Sequence, residues 1–68
     1  MRLSARNQFK GKIVSVDHGV TTSHVRIDVG GVVITASITK TSADELNLRV
    51  GQDALAVIKA SDVMVGVP

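Results

Sequence analysis

Two adjacent glycines divide the middle of the chain into a pair of alternating segments. In residues 24–29 and again in residues 32–38, apolar side chains recur at every second position. A period of two is typical of a β-strand with one buried face. Gly30 and Gly31 separate the segments by the two residues of a tight turn, and glycine tolerates the positive φ angles that such turns require. The sequence therefore predicts a β-hairpin over residues 24–38.

Three further segments have the composition of strands. Residues 10–17 alternate in two sets that are predicted to face opposite sides: Lys12, Val14 and Val16, and Ile13, Ser15 and Asp17. Residues 54–59 and 63–67 form the last two predicted strands, with a short polar break between them. Valine is frequent throughout, which favours strands with both faces partly covered.

The segment 39–48 has a different pattern. Ser42 and Glu45 match the capping box, in which a serine caps a helix start and a glutamate three residues on reaches back. We expect one or two helical turns from Ser42, with Leu46 and Leu48 available to the core. The order of three strands, a short helix and two strands predicts an all-β fold with a small α contribution. Its predicted form is a five-stranded OB-like antiparallel barrel, with the helix between strands 3 and 4. Residues 1–68 are predicted to be a single domain.

The small size of the chain implies a need for further stabilisation. A chain of 68 residues has only a marginal core, and it contains no cysteine for a disulfide. His18 and His24 are too few for a zinc site without cysteines, so no cation ligands are predicted. Oligomerisation is the remaining route, and a hydrophobic fraction of 44% suits a chain with interfaces to bury.

Charge and aromatic content limit the possible partners. The net charge of +2 is spread along the chain, and Phe9 is the one aromatic residue. Both features argue against nucleic acid, although an OB-type nucleic-acid-binding module remains the alternative because of the barrel class and a pI near 9.5. We expect no enzyme, because no hydroxyl or carboxylate lies at motif spacing from a histidine. No signal peptide or membrane-length apolar segment is evident, which favours a cytoplasmic protein.

Hydrogen-bond donors are concentrated near both ends of the chain. The first dozen residues offer a hydroxyl, a guanidinium, an amide and lysines, and Lys59-Ala60-Ser61 adds an ammonium and a second hydroxyl. Groups that donate and carry positive charge suit an anion, since charge-assisted hydrogen bonds are about twice as strong as neutral ones. Ser42 is expected to contribute as well, because unsatisfied N–H groups at a helix start favour anions.

These segments resemble a known family. The residues that carry the resemblance are Ser4-Ala5-Arg6-Asn7-Gln8, Lys10-Gly11, Ile38-Thr39 with Ser42, Leu46 and Leu48, and the closing Val57-Ile58-Lys59-Ala60-Ser61-Asp62-Val63. Together they resemble the molbindins, small cytoplasmic molybdate-binding proteins also called Mop or molybdenum-pterin-binding proteins. The resemblance implies a barrel that pairs by strand exchange, with dimers assembling as a trimer of dimers into a homo-hexamer. It also implies molybdate or tungstate, bound as an oxyanion between subunits.

The resemblance also implies a set of ligands. Ser4, Ala5, Arg6, Lys59 and Ala60 match one half of the family's pocket, and Thr39 and Ser42 of a partner subunit match the other half. Many relatives have Lys-Ser where this chain has Lys59-Ala60-Ser61, which leaves open whether Ser61 or the Ala60 backbone donates. The loop at Gly19 and Val20 is a candidate for a second class of site.

Two functional roles remain open within this resemblance. The chain begins with methionine and ends just past its last predicted strand, which favours a free-standing storage protein over a sensor or delivery module. Donors that cannot accept a hydrogen bond would reject protonated oxyanions. Discrimination against sulfate would depend on cavity size.

Overall fold

Four antiparallel strands form one sheet with the spatial order β3–β2–β1–β4. The computed structural model describes residues 7–68. Its elements are β1 (Asn7–His18), β2 (Thr22–Asp28), β3 (Val33–Thr39), α1 (Lys40–Leu46), β4 (Asp53–Ile58) and a 3-10 turn (Ala60–Asp62). The sheet is curled. The fold as a whole is mostly β with one short helix, as the sequence predicted.

The predicted hairpin is confirmed between β2 and β3. Gly30 and Gly31 have φ angles of 100° and 96°, and the Val29 amide donates to the Val32 carbonyl at 2.9 Å. Asp28 Oδ1 accepts hydrogen bonds from the amides of Gly31 and Gly30, at 3.1 and 3.0 Å. These two bonds favour the charged carboxylate and lower the pKa of Asp28.

A β-bulge in β1 changes the predicted assignment of its faces. Ile13 pairs with Ile27 and Ser15 pairs with Arg26, so Val14 has no partner on β2. The extra residue shifts the alternation by one position. Ile13 and Val16 therefore both contact the core, whereas the prediction placed them on opposite faces. Val14, predicted to share a face with Val16, is 44% exposed.

The core lies on one face of the sheet. Ile13, Val25, Ile27 and Ala56 form a buried cluster, and partly buried residues such as Leu48 pack against it. The strand β2 contributes alternate residues, as a sheet with one buried face requires, and β1 contributes Ile13 and, past the bulge, Val16. Four buried side chains are a small cluster for the core of residues 7–68.

Gly11 allows β1 to approach the end of β2 closely. A Cβ built at Gly11 would lie 2.2 Å from the backbone carbonyl oxygen of Asp28. Gly11→Ala therefore requires both strands to shift, and we expect it to lower the free energy of unfolding by about 1–3 kcal/mol, as other overpacking substitutions do. Urea denaturation measures this loss. Lys10→Ala, one residue away and exposed, is the matched control, and an equal effect of both substitutions would contradict the close approach.

The helix begins three residues earlier than predicted, and its cap differs. Thr39 is the N-cap, and its side chain accepts a hydrogen bond from the Ser42 amide. Ser42 lies in the first turn, so the prediction of Ser42 as the cap is wrong. Ala43 is buried under the helix and Leu46 is 62% exposed, so of the two leucines expected in the core Leu48 alone packs there. Asn47, with φ of 52°, ends the helix.

The fifth predicted strand does not form in the single chain. Residues 63–67, here named the tail, contain no strand, and Met64, Val65 and Val67 are more than 80% exposed. The described sheet is therefore open between β3 and β4, which are its outer strands. A groove of about 580 Å³ lies between them, lined mainly by apolar side chains that include Ile34, Ile38, Leu48, Ala54 and Ile58. The expectation of a closed five-stranded barrel is corrected to a curled four-stranded sheet with an open groove.

Candidate functional site

The predicted ligands fall into three groups along the chain. Ser4, Ala5 and Arg6 lie outside the described residues. Thr39 and Ser42, here named the hydroxyl pair, lie where β3 meets α1. Lys59, Ala60 and Ser61, here named the lysine turn, follow directly after β4.

The hydroxyl pair is held by two hydrogen bonds. Thr39 Oγ1 accepts from the Ser42 amide at 3.0 Å and donates to Ser42 Oγ at 2.9 Å. Because the Ser42 amide is already bonded, it is not available to an anion, contrary to the expectation for a residue at the helix start. The Ser42 hydroxyl retains its own hydrogen, since its oxygen accepts from Thr39.

The lysine turn is compact and exposed. The Asp62 amide donates to the Lys59 carbonyl at 2.9 Å, and the Val63 amide donates to the Ala60 carbonyl at 3.3 Å. All three residues of the lysine turn are exposed. Within residues 7–68 the ion pairs involve Lys12, Arg26 and Lys40 and do not involve Lys59. The Lys59 ammonium is therefore available to a ligand.

The hydroxyl pair and the lysine turn lie at opposite ends of the sheet. Asn7, at the start of β1, pairs with Ile58, the residue before Lys59. At the other end of β1, His18 pairs with Ser23, which in turn pairs with Ile38, the residue before Thr39. A 12-residue strand separates the two groups, on the order of 35 Å when extended. The structure thus brings Thr39 to Ser42 and Lys59 to Ser61, but one chain does not bring the two groups together.

The candidate second site lies beside the hydroxyl pair. The Gly19 amide donates to the Thr22 carbonyl at 2.8 Å, which closes the turn between β1 and β2. The Lys40 amide donates to the Thr21 carbonyl at 2.9 Å, and Thr22 pairs with Thr39. Val20, at the tip of this turn, is 93% exposed. The loop at Gly19 and Val20 is therefore hydrogen-bonded to the segment that carries Thr39.

The charge nearest the hydroxyl pair is already paired. Lys40 Nζ lies 2.9 Å from Asp44 Oδ2, one helical turn away. The hydrogen bond from Lys40 is the main cause that lowers the pKa of Asp44, and the charges of Lys40 and His18 add to it. Lys40 is therefore not a free cation for an anion at Ser42. In the part of the chain that the structure describes, no three metal-ligating side chains converge.

The sequence interpretation missed one serine–histidine pair. His18 Nδ1 lies 3.3 Å from Ser23 Oγ, across the ends of β1 and β2. Ser23 is completely buried, so its hydroxyl cannot reach a substrate, and the pair joins the two strands rather than forming a nucleophile. Gly19, directly after His18, was the available signal, because a glycine that ends a strand can form a turn that brings the residues on its two sides together.

The Thr39 cap has a measurable contribution to stability. Thr39→Ala removes both hydrogen bonds to Ser42, and loss of an N-cap costs about 1 kcal/mol, with a range of 0.5–2 kcal/mol. We expect Thr39→Ser, which keeps the hydroxyl, to retain most of that free energy. Urea denaturation of the two variants at one subunit concentration separates them. Equal losses would show that the threonine methyl, not the hydroxyl, stabilises the helix start.

Comparison with known proteins agrees with this architecture. The TOBE domain family matches residues 3–65. A probable molybdenum-pterin-binding protein of Haemophilus influenzae is 50% identical over 68 residues, covering 98% of this chain and 99% of the relative. No helix among residues 7–68 has the length and apolarity that a membrane span requires.

Two solved structures share the fold. MopII from Clostridium pasteurianum, in an apo form, superposes with a TM-score of 0.91 and 42% identity, over 97% of this chain and 100% of that chain. ModG, described as a cytoplasmic molybdate-binding protein and solved with molybdate bound, superposes with a TM-score of 0.94 and 42% identity. That match covers 100% of this chain and 49% of ModG. The chain therefore belongs to the TOBE domain family, among the small molybdenum-pterin-binding (Mop, or molbindin) proteins.

Proposed function

We propose that residues 1–68 are a single domain that binds molybdate or tungstate at sites shared between copies in a cytoplasmic homo-oligomer. Its relatives are named for molybdenum-pterin binding, and ModG, named as a cytoplasmic protein, holds molybdate in a fold that this chain matches over its full length. The observation that carries the shared site is the separation of the hydroxyl pair from the lysine turn. Each group has free donors, and the two lie at opposite ends of β1.

The proposed site takes residues from two copies. Arg6 and Lys59 of one copy supply two positive charges, which balance the dianion, and Ser4 supplies a hydroxyl. Ser42 of the second copy supplies the hydroxyl hydrogen that its bond with Thr39 leaves free. Backbone amides at Ala5 and Ala60, or the Ser61 hydroxyl, complete the set. Pairing every oxygen matters because an isolated buried charge is far more costly than a neutral polar group.

The ion pair that Lys40 forms within its own chain supports this division. Among the described residues, Lys40 is the lysine nearest in sequence to Ser42, and it is paired with Asp44. A dianion held at Ser42 alone would therefore be poorly neutralised. Lys59 is unpaired among residues 7–68, so a second copy that brings its lysine turn to this position supplies the missing charge.

Assembly is proposed to use the tail. The tail has valines at positions 63, 65 and 67, and the groove between β3 and β4 offers a long apolar slot with two strand edges. A strand added from another copy would satisfy both features, which is strand exchange of the kind that the family resemblance implies. We propose a homo-hexamer arranged as a trimer of dimers.

Val65→Asp tests the role of the tail. A carboxylate in an apolar groove is costly to bury, so we expect this variant to shift the mass towards the single chain in sedimentation or light scattering. Val50→Asp is the matched control, because Val50 is also exposed, at 67%, and does not line the groove. Equal masses for wild type, Val65→Asp and Val50→Asp would exclude the tail from the interface.

Calorimetric titration tests the binding function. The purified protein is titrated with molybdate, then with tungstate, and again in the presence of excess sulfate, while its mass is determined in parallel. We expect saturable binding that sulfate does not suppress, on an oligomer. A well-folded oligomer that gives no saturable heat with either metal oxyanion would overturn the proposal.

Storage predicts a further result in cells. Cells that produce the protein should retain more molybdenum after transfer to molybdate-free medium than cells that produce a Lys59→Met variant. Equal retention would favour delivery or sensing over storage.

A binding role is proposed rather than an enzymatic one. Nucleic-acid binding is not favoured, because Phe9 is the one aromatic side chain available for stacking bases.

The loop at Gly19 and Val20 is retained as a proposed second site. Its backbone is hydrogen-bonded to the segment that holds Thr39, so an anion there would lie near the first site. In the calorimetric titration, a stoichiometry above one ion per chain would support it.

A further inference from the structure

We infer that bound oxyanion controls the exchange of subunits between oligomers, because the lysine turn is also the hinge from which the tail leaves the sheet. This inference rests on the proposed function and adds a regulatory consequence to it. Assembly becomes tighter when molybdate is present, and the subunits exchange more freely when it is not.

The hinge is defined by the backbone. β4 ends at Ile58, and the chain then passes through the 3-10 turn Ala60–Asp62 before the tail begins at Val63. Lys59 and Val63 flank this turn in extended conformations, with φ and ψ of −64° and 136°, and of −88° and 126°. The direction of the tail is therefore set within a few residues.

Among residues 7–68, few hydrogen bonds fix the hinge in the single chain. Two backbone hydrogen bonds close the turn, and the longer one, from the Val63 amide to the Ala60 carbonyl, measures 3.3 Å. Lys59 makes no side-chain hydrogen bond that caps the turn, and residues 59–62 are all exposed. Exposed backbone hydrogen bonds with little packing around them mark a segment of low local stability.

The same residues are the proposed ligands. Lys59, Ala60 and Ser61 would be held by the anion, and the anion would be held in turn by the hydroxyl pair of another copy. The hydroxyl pair is better anchored, because Thr39 pairs with Thr22 of β2 and Ala43, the residue after Ser42, is buried. A bound anion would thus connect the weakly fixed hinge of one copy to the better anchored helix start of another copy.

The size of the effect follows from linkage. A ligand that binds the assembled state and not the separated one favours assembly by a factor of one plus the ratio of its free concentration to its Kd. At a free molybdate concentration of about 100 times Kd, a separation step that must empty one site slows about 100-fold. Sulfate at equal ionic strength is expected to leave the rate unchanged.

Exchange between isotopically labelled oligomers measures this rate. Labelled and unlabelled wild-type protein are mixed, and hybrid oligomers are followed by native mass spectrometry with and without molybdate. A urea concentration is chosen at which the molybdate-free protein exchanges within hours and remains folded. We expect molybdate to slow hybrid formation at least tenfold, and we expect it to slow the Lys59→Met variant no more than about fourfold at the same molybdate concentration.

Calorimetry on the same samples distinguishes a failure of the hinge inference from a failure of the proposed function. Saturable molybdate binding with an unchanged exchange rate would overturn the hinge inference and leave the proposed function intact. The absence of binding would overturn both. A wild-type protein that is monomeric without molybdate and remains so with it would also overturn the inference.

Discussion

Replacing Lys59 with methionine is expected to weaken molybdate binding by about 30-fold to several thousand-fold. Methionine keeps the apolar stem and removes the ammonium, so the anion loses one of the two charges proposed to balance it. Removing one partner of a desolvated charge pair costs about 2–5 kcal/mol, and each 1.4 kcal/mol is a factor of ten in Kd. Calorimetric titration measures the change directly.

Lys10→Met is the matched control for that substitution. Lys10 is an exposed lysine on β1, and it lies outside both the hydroxyl pair and the lysine turn. The same change of net charge there should leave the Kd within about twofold of the wild-type value, because charges on the surface are screened by salt. If both substitutions weakened binding equally, the effect of Lys59 would be one of net charge rather than of a ligand.

The second large effect is expected in the core. Ile13 is 1% exposed and belongs to a buried cluster of four residues, so Ile13→Ala leaves a cavity that a small sheet cannot readily fill. Substitutions of this kind cost about 2–5 kcal/mol, a large part of the stability of a small domain. We expect the urea midpoint to fall accordingly at a fixed subunit concentration.

Ile13→Val is the graded control in the core. It removes one methylene group and should cost about 0.5–1.5 kcal/mol. Val14→Ala, at the exposed bulge beside Ile13, should cost less than either substitution if the bulge places Val14 outside the core. A loss at Val14 as large as that at Ile13 would contradict the bulge.

The parts of the fold with strong local signals were predicted correctly from the sequence. Gly30 and Gly31 specify the turn of the hairpin, because few residues other than glycine adopt two successive positive φ angles. The bulge at Val14 has no comparable signal. Its neighbours alternate without interruption in sequence, and the extra residue becomes visible only when the register with β2 is known.

The helix cap shows how two local signals can compete. Thr39 and Ser42 are both good N-cap residues, and the sequence interpretation chose the one with a glutamate three positions later. The structure uses Thr39, because β3 runs as far as Thr39 and leaves the helix to begin at Lys40. Tertiary pairing of β3 with β2 thus decided between two locally acceptable starts.

The fifth predicted strand and the complete set of predicted ligands are not assembled within the described part of one chain. The valine-rich tail has the composition of a strand, yet it pairs with no strand among residues 7–68. The proposed ligands that the structure describes likewise separate into two groups at opposite ends of β1. A sequence identifies donors and strand formers, but it does not state which copy supplies each of them.

Mixing two defective variants tests the shared site most directly. Lys59→Met lacks the ammonium, and Ser42→Ala lacks the free hydroxyl hydrogen, so homo-oligomers of each should bind molybdate weakly. When the two are unfolded together and refolded, random assembly should restore about one intact site in four, because some interfaces then join an unaltered Lys59 to an unaltered Ser42. Calorimetry should detect this fraction at wild-type affinity. A mixture that binds no better than its two components would contradict a site built from two copies.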